Sequence, residues 1–131
     1  MFKIHPQENY SLFFDGGKKG DYITYGYVIY HKDKVIYEGG GKIKSKLSSN
    51  VAEYTSLIIG LNVAIFFGIK NIQCFGDSQL VINQINGKFK NKRFKSFHLI
   101  IEQLKQKFDN FEIHWISRKY NSRADRQTRQ I

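Results

Sequence analysis

The apolar period of this chain changes once, and that change limits the folds open to it. Before Asn50 the period is strand-like. Tyr10 to Asp15 (YSLFFD) is a short apolar run reaching Gly16-Gly17, which reads as a central strand followed by a sharp turn. Ile23 to His31 and Val35 to Lys44 are β-branched and tyrosine-rich, and His31-Lys32-Asp33-Lys34 reads as the hairpin turn between them. From Asn50, the residues Tyr54, Leu57, Ile58, Leu61, Ala64 and Ile65 recur at helical spacing, the stripe of an amphipathic helix that Gly68 ends.

Beyond that helix, Ile72 to Gly76 reads as a strand, Ser78 to Ile85 as a short helix, and Phe97, Ile100, Ile101, Leu104 and Phe108 as a second helical stripe. Glu112 to Ile116, containing Trp115, closes the pattern as a fifth strand, with Trp115 expected in the core. Three strands in a meander followed by a helix, a strand, two helices and a strand require a mixed sheet, because a helix between two strands can act as the crossover that sets them parallel. The expected class is α/β: a five-stranded mixed sheet, three antiparallel strands then parallel ones, flanked by helices.

The chain of 131 residues contains no repeat or linker and is expected to form one domain over 1–131, active as a monomer. A net charge of +10 suits a polyanion, since Lys and Arg that neutralise phosphates release counterions; an anionic membrane surface would fit the charge as well. One cysteine excludes an internal disulfide, and there is no apolar run of membrane-spanning length, so a cytoplasmic, non-membrane protein is expected.

With the first and fourth strands as parallel neighbours, Asp15 and Asp77 sit at or just past carboxyl ends, where open α/β sheets place ligands. Neighbouring strands lie about 4.8 Å apart, so the two carboxylates can share one hard cation such as Mg²⁺. Each acidic residue also fits a local role. Glu53 follows Asn50 at capping-box spacing, Asp77 directly precedes a helix, Asp125 follows Ser122 by three, and Asp15 before Gly-Gly can open a turn. It is their joint arrangement that points to chemistry.

FFDGG (Phe13 to Gly17), NVAEYTSLIIGL (Asn50 to Leu61), GDSQLVINQINGKFK (Gly76 to Lys90) and RKYNSRAD (Arg118 to Asp125) resemble, in order and spacing, the type 1 ribonuclease H family. The resemblance implies a ribonuclease H-like fold and hydrolysis of the RNA strand of RNA–DNA hybrids, leaving 5′-phosphate and 3′-hydroxyl ends. It implies four metal-holding catalytic carboxylates, Asp15, Glu53, Asp77 and Asp125, around two Mg²⁺ ions that Mn²⁺ can replace. Asp15 would bridge both ions, Glu53 and Asp77 would hold the one near the leaving oxygen, and Asp125 the one that activates water.

The resemblance also implies substrate contacts. Asn50 and Gln79 carry amides suited to the RNA 2′-hydroxyl, although Asn50 equally suits a helix cap. Gly16 and Gly17 permit close backbone approach, Ser78 stands beside Asp77, and Ser48 matches a hydroxyl that grips a DNA phosphate. The basic stretch of Lys88, Lys90, Lys92, Arg93 and Lys95 is too short for the helical protrusion of larger members and is expected to supply part of the phosphate grip.

Two departures matter. Ile116 to Ala124 lacks the histidine that some members carry before the last carboxylate, and Arg118 is the cation expected to serve there, either in catalysis or as a plain phosphate contact. After Asp125 the chain reads RQTRQI where members usually have a leucine-alanine pair, so the last helix is expected to fray and leave Asp125 less firmly placed. Cys74 is expected as a buried small hydrophobe, and His5, His31, His98 and His114 lack zinc spacing. Gly39-Gly40-Gly41 is expected to mark a bulge or kink in an edge strand.

Other readings stay open: a nuclease of this fold acting on other nucleic acids, a hybrid-binding module with weak or no catalysis, or one part of a larger polymerase or transposition machine.

Overall fold

A computed structural model describes residues 3–87 and 92–129, so Lys88 and Lys90 of the basic stretch lie outside the described residues. Five strands form one sheet: β1 (Asn9–Lys19), β2 (Tyr22–His31), β3 (Lys34–Lys44), β4 (Asn71–Gly76) and β5 (Asn110–Trp115). Their order is β3-β2-β1-β4-β5, with β1–β2 and β2–β3 antiparallel and β1–β4 and β4–β5 parallel. This is the mixed sheet that the strand and helix order demands.

The helices are α1 (Ser49–Phe66), α2 (Gln79–Ile85), α3 (Lys95–Lys105) and α4 (Ser122–Gln127). The α1 stripe buries Tyr54, Leu57, Leu61 and Ala64 against β1 and β2, where Leu12, Phe14 and Ile29 are fully enclosed. Successive residues of β1 face opposite sides: Tyr10, Leu12, Phe14 and Gly16 point toward α1, so Asp15 points to the other face. Ile101 of α3 and Ile113 of β5 complete this core, and Cys74 lies buried within it, as its sequence context predicts. Ile100, placed by its spacing on the buried stripe, is 41% exposed, whereas its neighbour Ile101 is fully buried.

Several local expectations change. The Gly16-Gly17 pair is not a turn: β1 continues to Lys19, and the reversal occurs at Gly20, whose φ of +59° favours glycine. Gly39-Gly40-Gly41 runs regularly within β3 opposite Tyr25-Gly26-Tyr27, and the register shift between β2 and β3 lies elsewhere, at Ile29/Tyr30. The α1 cap is Ser48, not Asn50, so no Asn50–Glu53 capping box forms. Ser78 rather than Asp77 caps α2, its hydroxyl accepting from the Val81 N–H. Ser122 is the first residue of α4 and makes no cap for Asp125.

Trp115 is not in the core. The final residue of β5 leaves its ring 45% exposed, with the indole N–H donating to the Asp77 carbonyl oxygen at 3.1 Å. The polar end of the ring has a partner at the sheet terminus.

Candidate active site

Asp15 reaches the site from β1, Glu53 from the first turns of α1, and Asp77 from the residue after β4. Parallel pairing of β1 with β4 runs as far as Phe13 and Phe75, which sets Asp15, within β1, beside the carboxyl end of β4, and α1 packs over β1 so closely that the site depends on a missing side chain. A Cβ on Gly16 would lie 2.3 Å from the Ala52 carbonyl carbon and 2.6 Å from the Glu53 nitrogen. Gly16 therefore permits the helix backbone to touch the strand, and its N–H donates to the Glu53 carboxylate.

Among the described residues, the ligand oxygens of Asp15, Glu53 and Asp77 all lie within 4.8 Å of one another. Asp15 is 8% exposed and Glu53 7% exposed, and Glu53 Oε2 is buried with no hydrogen-bond partner. Removing a carboxylate from water and setting it among others disfavours its charge. Burial, followed by the nearby Asp77 and Asp125 carboxylates, pushes the Asp15 carboxyl well above its ordinary range, against a lowering contribution from Arg118. Burial, then Asp15 and Asp77, pushes Glu53 upward in the same way.

Three converging carboxylates with an orphaned buried oxygen fit a divalent cation better than they fit one another. Oxygen-only donors of high charge select a hard ion such as Mg²⁺, Ca²⁺ or Mn²⁺.

Asp125, on α4, borders this group without belonging to its tightest part. Its carboxyl is within hydrogen-bonding range of Asp15 and pairs with Arg129 at 3.0 Å. The fraying expected of α4 is not what the structure has: Ala124 is fully buried, Thr128 is buried, and the helix docks on β2, β1 and β3.

The four carboxylates open into a cleft of about 460 Å³ that is also lined by Gly16, Gly17, Ser49, Asn50, Ser78, Arg118, Thr128 and Arg129. Two residues expected at the site are not on its wall. Gln79 stands exposed at the start of α2, and Ser48 lines a neighbouring groove with Lys18, Lys46, Leu47, Arg93 and Phe97. Lys95, at the start of α3, is exposed but outside that groove.

Sequence reasoning passed over Asn121, Thr128 and Arg129. Asn121 is 1% exposed and donates through Nδ2 to the Phe14 carbonyl and to Asp77 Oδ2, both at 2.9 Å. Its only sequence signal is its place in RKYNSRAD, four residues before Asp125.

Fold and cleft together define a mixed α/β domain with a cation-suited acidic centre in a strongly basic chain. The family profile described as reverse transcriptase-like matches residues 14–130. A Halobacterium salinarum protein named ribonuclease HI is 33% identical over 122 residues, covering 86% of this chain and 59% of the relative. A bifunctional protein of Mycobacterium tuberculosis is 33% identical over 118 residues, covering 86% of this chain and 32% of that protein. The chain thus spans less than two thirds of the length of these relatives.

Among solved structures, RNase H1 of Halobacterium salinarum superposes with a TM-score of 0.88 at 31% identity, covering 93% of this chain and 96% of that one. LC11-RNase H1, solved in complex with an RNA/DNA hybrid, gives a TM-score of 0.83 at 27% identity over 92% and 94% of the two chains. The chain belongs to the ribonuclease H-like family of reverse transcriptase-like domains.

Proposed function

We propose that this protein is a metal-dependent endoribonuclease that hydrolyses the RNA strand of RNA–DNA hybrids, leaving 5′-phosphate and 3′-hydroxyl ends. The observation that carries the reading is the convergence of Asp15, Glu53 and Asp77 within 4.8 Å around an unpartnered Glu53 oxygen, in a chain of net charge +10.

Two Mg²⁺ ions, or Mn²⁺ in their place, would supply Lewis-acid stabilisation of the attacking and leaving oxygens and a more acidic bound water. Asp15 stands between the Glu53/Asp77 pair and Asp125, which suits it to serve both ions. Glu53 and Asp77 hold one flank of the cleft and Asp125 the other. Hydrolysis then needs no protein nucleophile.

Asn50 on the cleft wall offers an amide able to donate to and accept from a 2′-hydroxyl, and Ser78 and the Gly17 backbone line the same surface. Gln79 is placed to reach a strand lying across the start of α2, and Ser48 with Lys18, Lys46 and Arg93 to meet the phosphates of the second strand. Arg118, exposed on the cleft, is positioned to meet charge developing on the scissile phosphate. A guanidinium stays protonated, so Arg118 acts by charge and not as a base. Among the described residues no helix is long and apolar enough to cross a membrane, and the proposed setting is a monomer acting on nucleic acid inside the cell.

The deciding test is incubation with end-labelled RNA–DNA hybrid, duplex DNA and duplex RNA, each with Mg²⁺ or chelator, beside Asp15→Asn. Cleavage confined to the RNA of the hybrid, and lost with chelator and in the variant, is the expected result. Tight binding to hybrid without cleavage in Mg²⁺ or Mn²⁺ would reduce the protein to a binding module.

A further inference from the structure

The last helix has little of its own to hold it. At six residues, α4 is far shorter than a helix stable by propensity, and only Ala124 within it is buried. Yet it carries Asp125, whose carboxyl meets Asp15.

Two features of the strands beneath it account for its position. Asp15, Gly26 and Gly40 are successive cross-strand partners on β1, β2 and β3, so they form one row across the sheet and face the same side. A Cβ on Gly26 would lie 2.3 Å from the Ala124 carbonyl oxygen, and one on Gly40 would lie 1.9 Å from the Gln127 carbonyl oxygen. The backbone of α4 therefore rests directly on the sheet, in the row that ends at Asp15.

Glu38 lies two residues before Gly40 and so points to the same face. Its Oε1 accepts from Arg123 Nε at 2.9 Å and from Gln127 Nε2 at 2.8 Å, and its Oε2 accepts from Arg123 Nη2 at 2.8 Å. The Arg123 guanidinium, with help from Arg126 and Gln127, holds the Glu38 carboxyl below its ordinary range. Arg123 and Gln127 stand four apart on α4, with Asp125 between them, so one carboxylate on the sheet-edge strand grips the helix on both sides of the residue that enters the site.

We infer that Glu38 is a positioning residue for the reaction proposed above: by clamping Arg123 and Gln127 it fixes α4 on its glycine row and so sets Asp125 against Asp15. The inference rests on that reading for its effect on activity, but not for its effect on the helix. A partly exposed ion pair adds little to global stability, whereas a bidentate pair gives strong geometric definition, so the clamp acts on placement more than on folding.

The experiment compares wild type, Glu38→Ala, Arg123→Ala and the charge-exchanged pair Glu38→Arg/Arg123→Glu. The readouts are amide hydrogen exchange without metal, and kcat, KM for hybrid and the Mg²⁺ concentration for half-maximal rate. Each single variant is expected to raise exchange in residues 122–128 by about 10-fold while β1 and β4 stay protected. Each is expected to lower kcat and raise the Mg²⁺ requirement by about 10-fold, leaving KM for hybrid within about twofold. The exchanged pair is expected to recover most of both losses.

Wild-type exchange in α4 and wild-type Mg²⁺ dependence in Glu38→Ala would overturn the inference. So would a loss confined to KM, or protection lost equally throughout the sheet. If the wild-type protein fails to cleave hybrid at all, the proposed function fails, and exchange in α4 still decides the clamp.

Discussion

Asn121 Nδ2 donates at 2.9 Å both to the carbonyl oxygen of Phe14 and to Asp77 Oδ2, so one amide joins the entry to α4 with the middle of β1 and the residue that follows β4. Phe14 immediately precedes Asp15, which means that the same side chain sets the relation between two of the site carboxylates from a third part of the chain.

Asn121→Asp keeps the shape, removes the donor and adds a negative charge against Asp77. The variant is expected to lose about 1–3 kcal/mol of stability, because the buried Phe14 carbonyl loses its partner. Its kcat on hybrid is expected to fall more steeply than its KM rises. Denaturant unfolding and steady-state kinetics check both, and a variant with wild-type kcat would show that the amide has no part in ordering the carboxylates.

The raised carboxyls give the metal-free protein a definite pH dependence. Asp15 and Glu53 hold protons in the folded state that the unfolded chain releases once the pH exceeds about 4. Unfolding therefore releases protons above that point, and stability falls as pH rises toward the raised folded values. With chelator, Tm is expected to drop by at least about 4 °C between about pH 5 and pH 8, roughly the equivalent of 1 kcal/mol. Mg²⁺ should restore most of it at the upper end, and a metal-free Tm that climbs over this range would contradict the assignment.

Asp15→Asn replaces a carboxyl that the metal-free fold has to hold protonated, whereas the unfolded chain ionises it, with a neutral group of the same shape. It is expected to abolish hybrid cleavage while raising metal-free stability near neutral pH by about 1 kcal/mol. Calorimetry with chelator beside the cleavage assay separates the two effects; a destabilised variant would mean that Asp15 is structural.

Gly16 and Gly17 are expected to behave oppositely. A methyl group at Gly16 collides with the α1 backbone, whereas at Gly17 the nearest heavy atom is Thr24 Oγ1 at 3.3 Å. Gly16→Ala should cost at least about 1–3 kcal/mol by overpacking, and Gly17→Ala should keep the fold and weaken hybrid binding. Thermal melts and a binding titration test the pair, and a stable Gly16→Ala would refute the contact.

Trp115, the single tryptophan, hydrogen-bonds the backbone of Asp77 and should report on the site. Titration with Mg²⁺ is expected to shift its emission saturably in wild type and not in Asp77→Asn. No shift in wild type at concentrations that support cleavage would disconnect the ring from the site.

Alternation and helical period in the sequence were enough to determine five strands, the switch to α1 and the mixed sheet, because burial of one face per element leaves its mark on neighbouring residues. They also placed Asp15 and Asp77 on neighbouring parallel strands, but not at matching ends: Asp77 follows the end of β4, whereas Asp15 lies within β1, which runs on to Lys19. Contacts between residues distant in sequence leave no such mark. The period could not show that Gly16 makes room for Ala52, that Gly26 and Gly40 seat a six-residue helix, or that Glu38 reaches Arg123 across 85 residues. Nor could it expose Trp115 or give Asn121 its two acceptors. Those relations depend on which backbones come within reach once the sheet is assembled, and so the tertiary structure decided how Asp125 is held, where the sequence predicted a loose end.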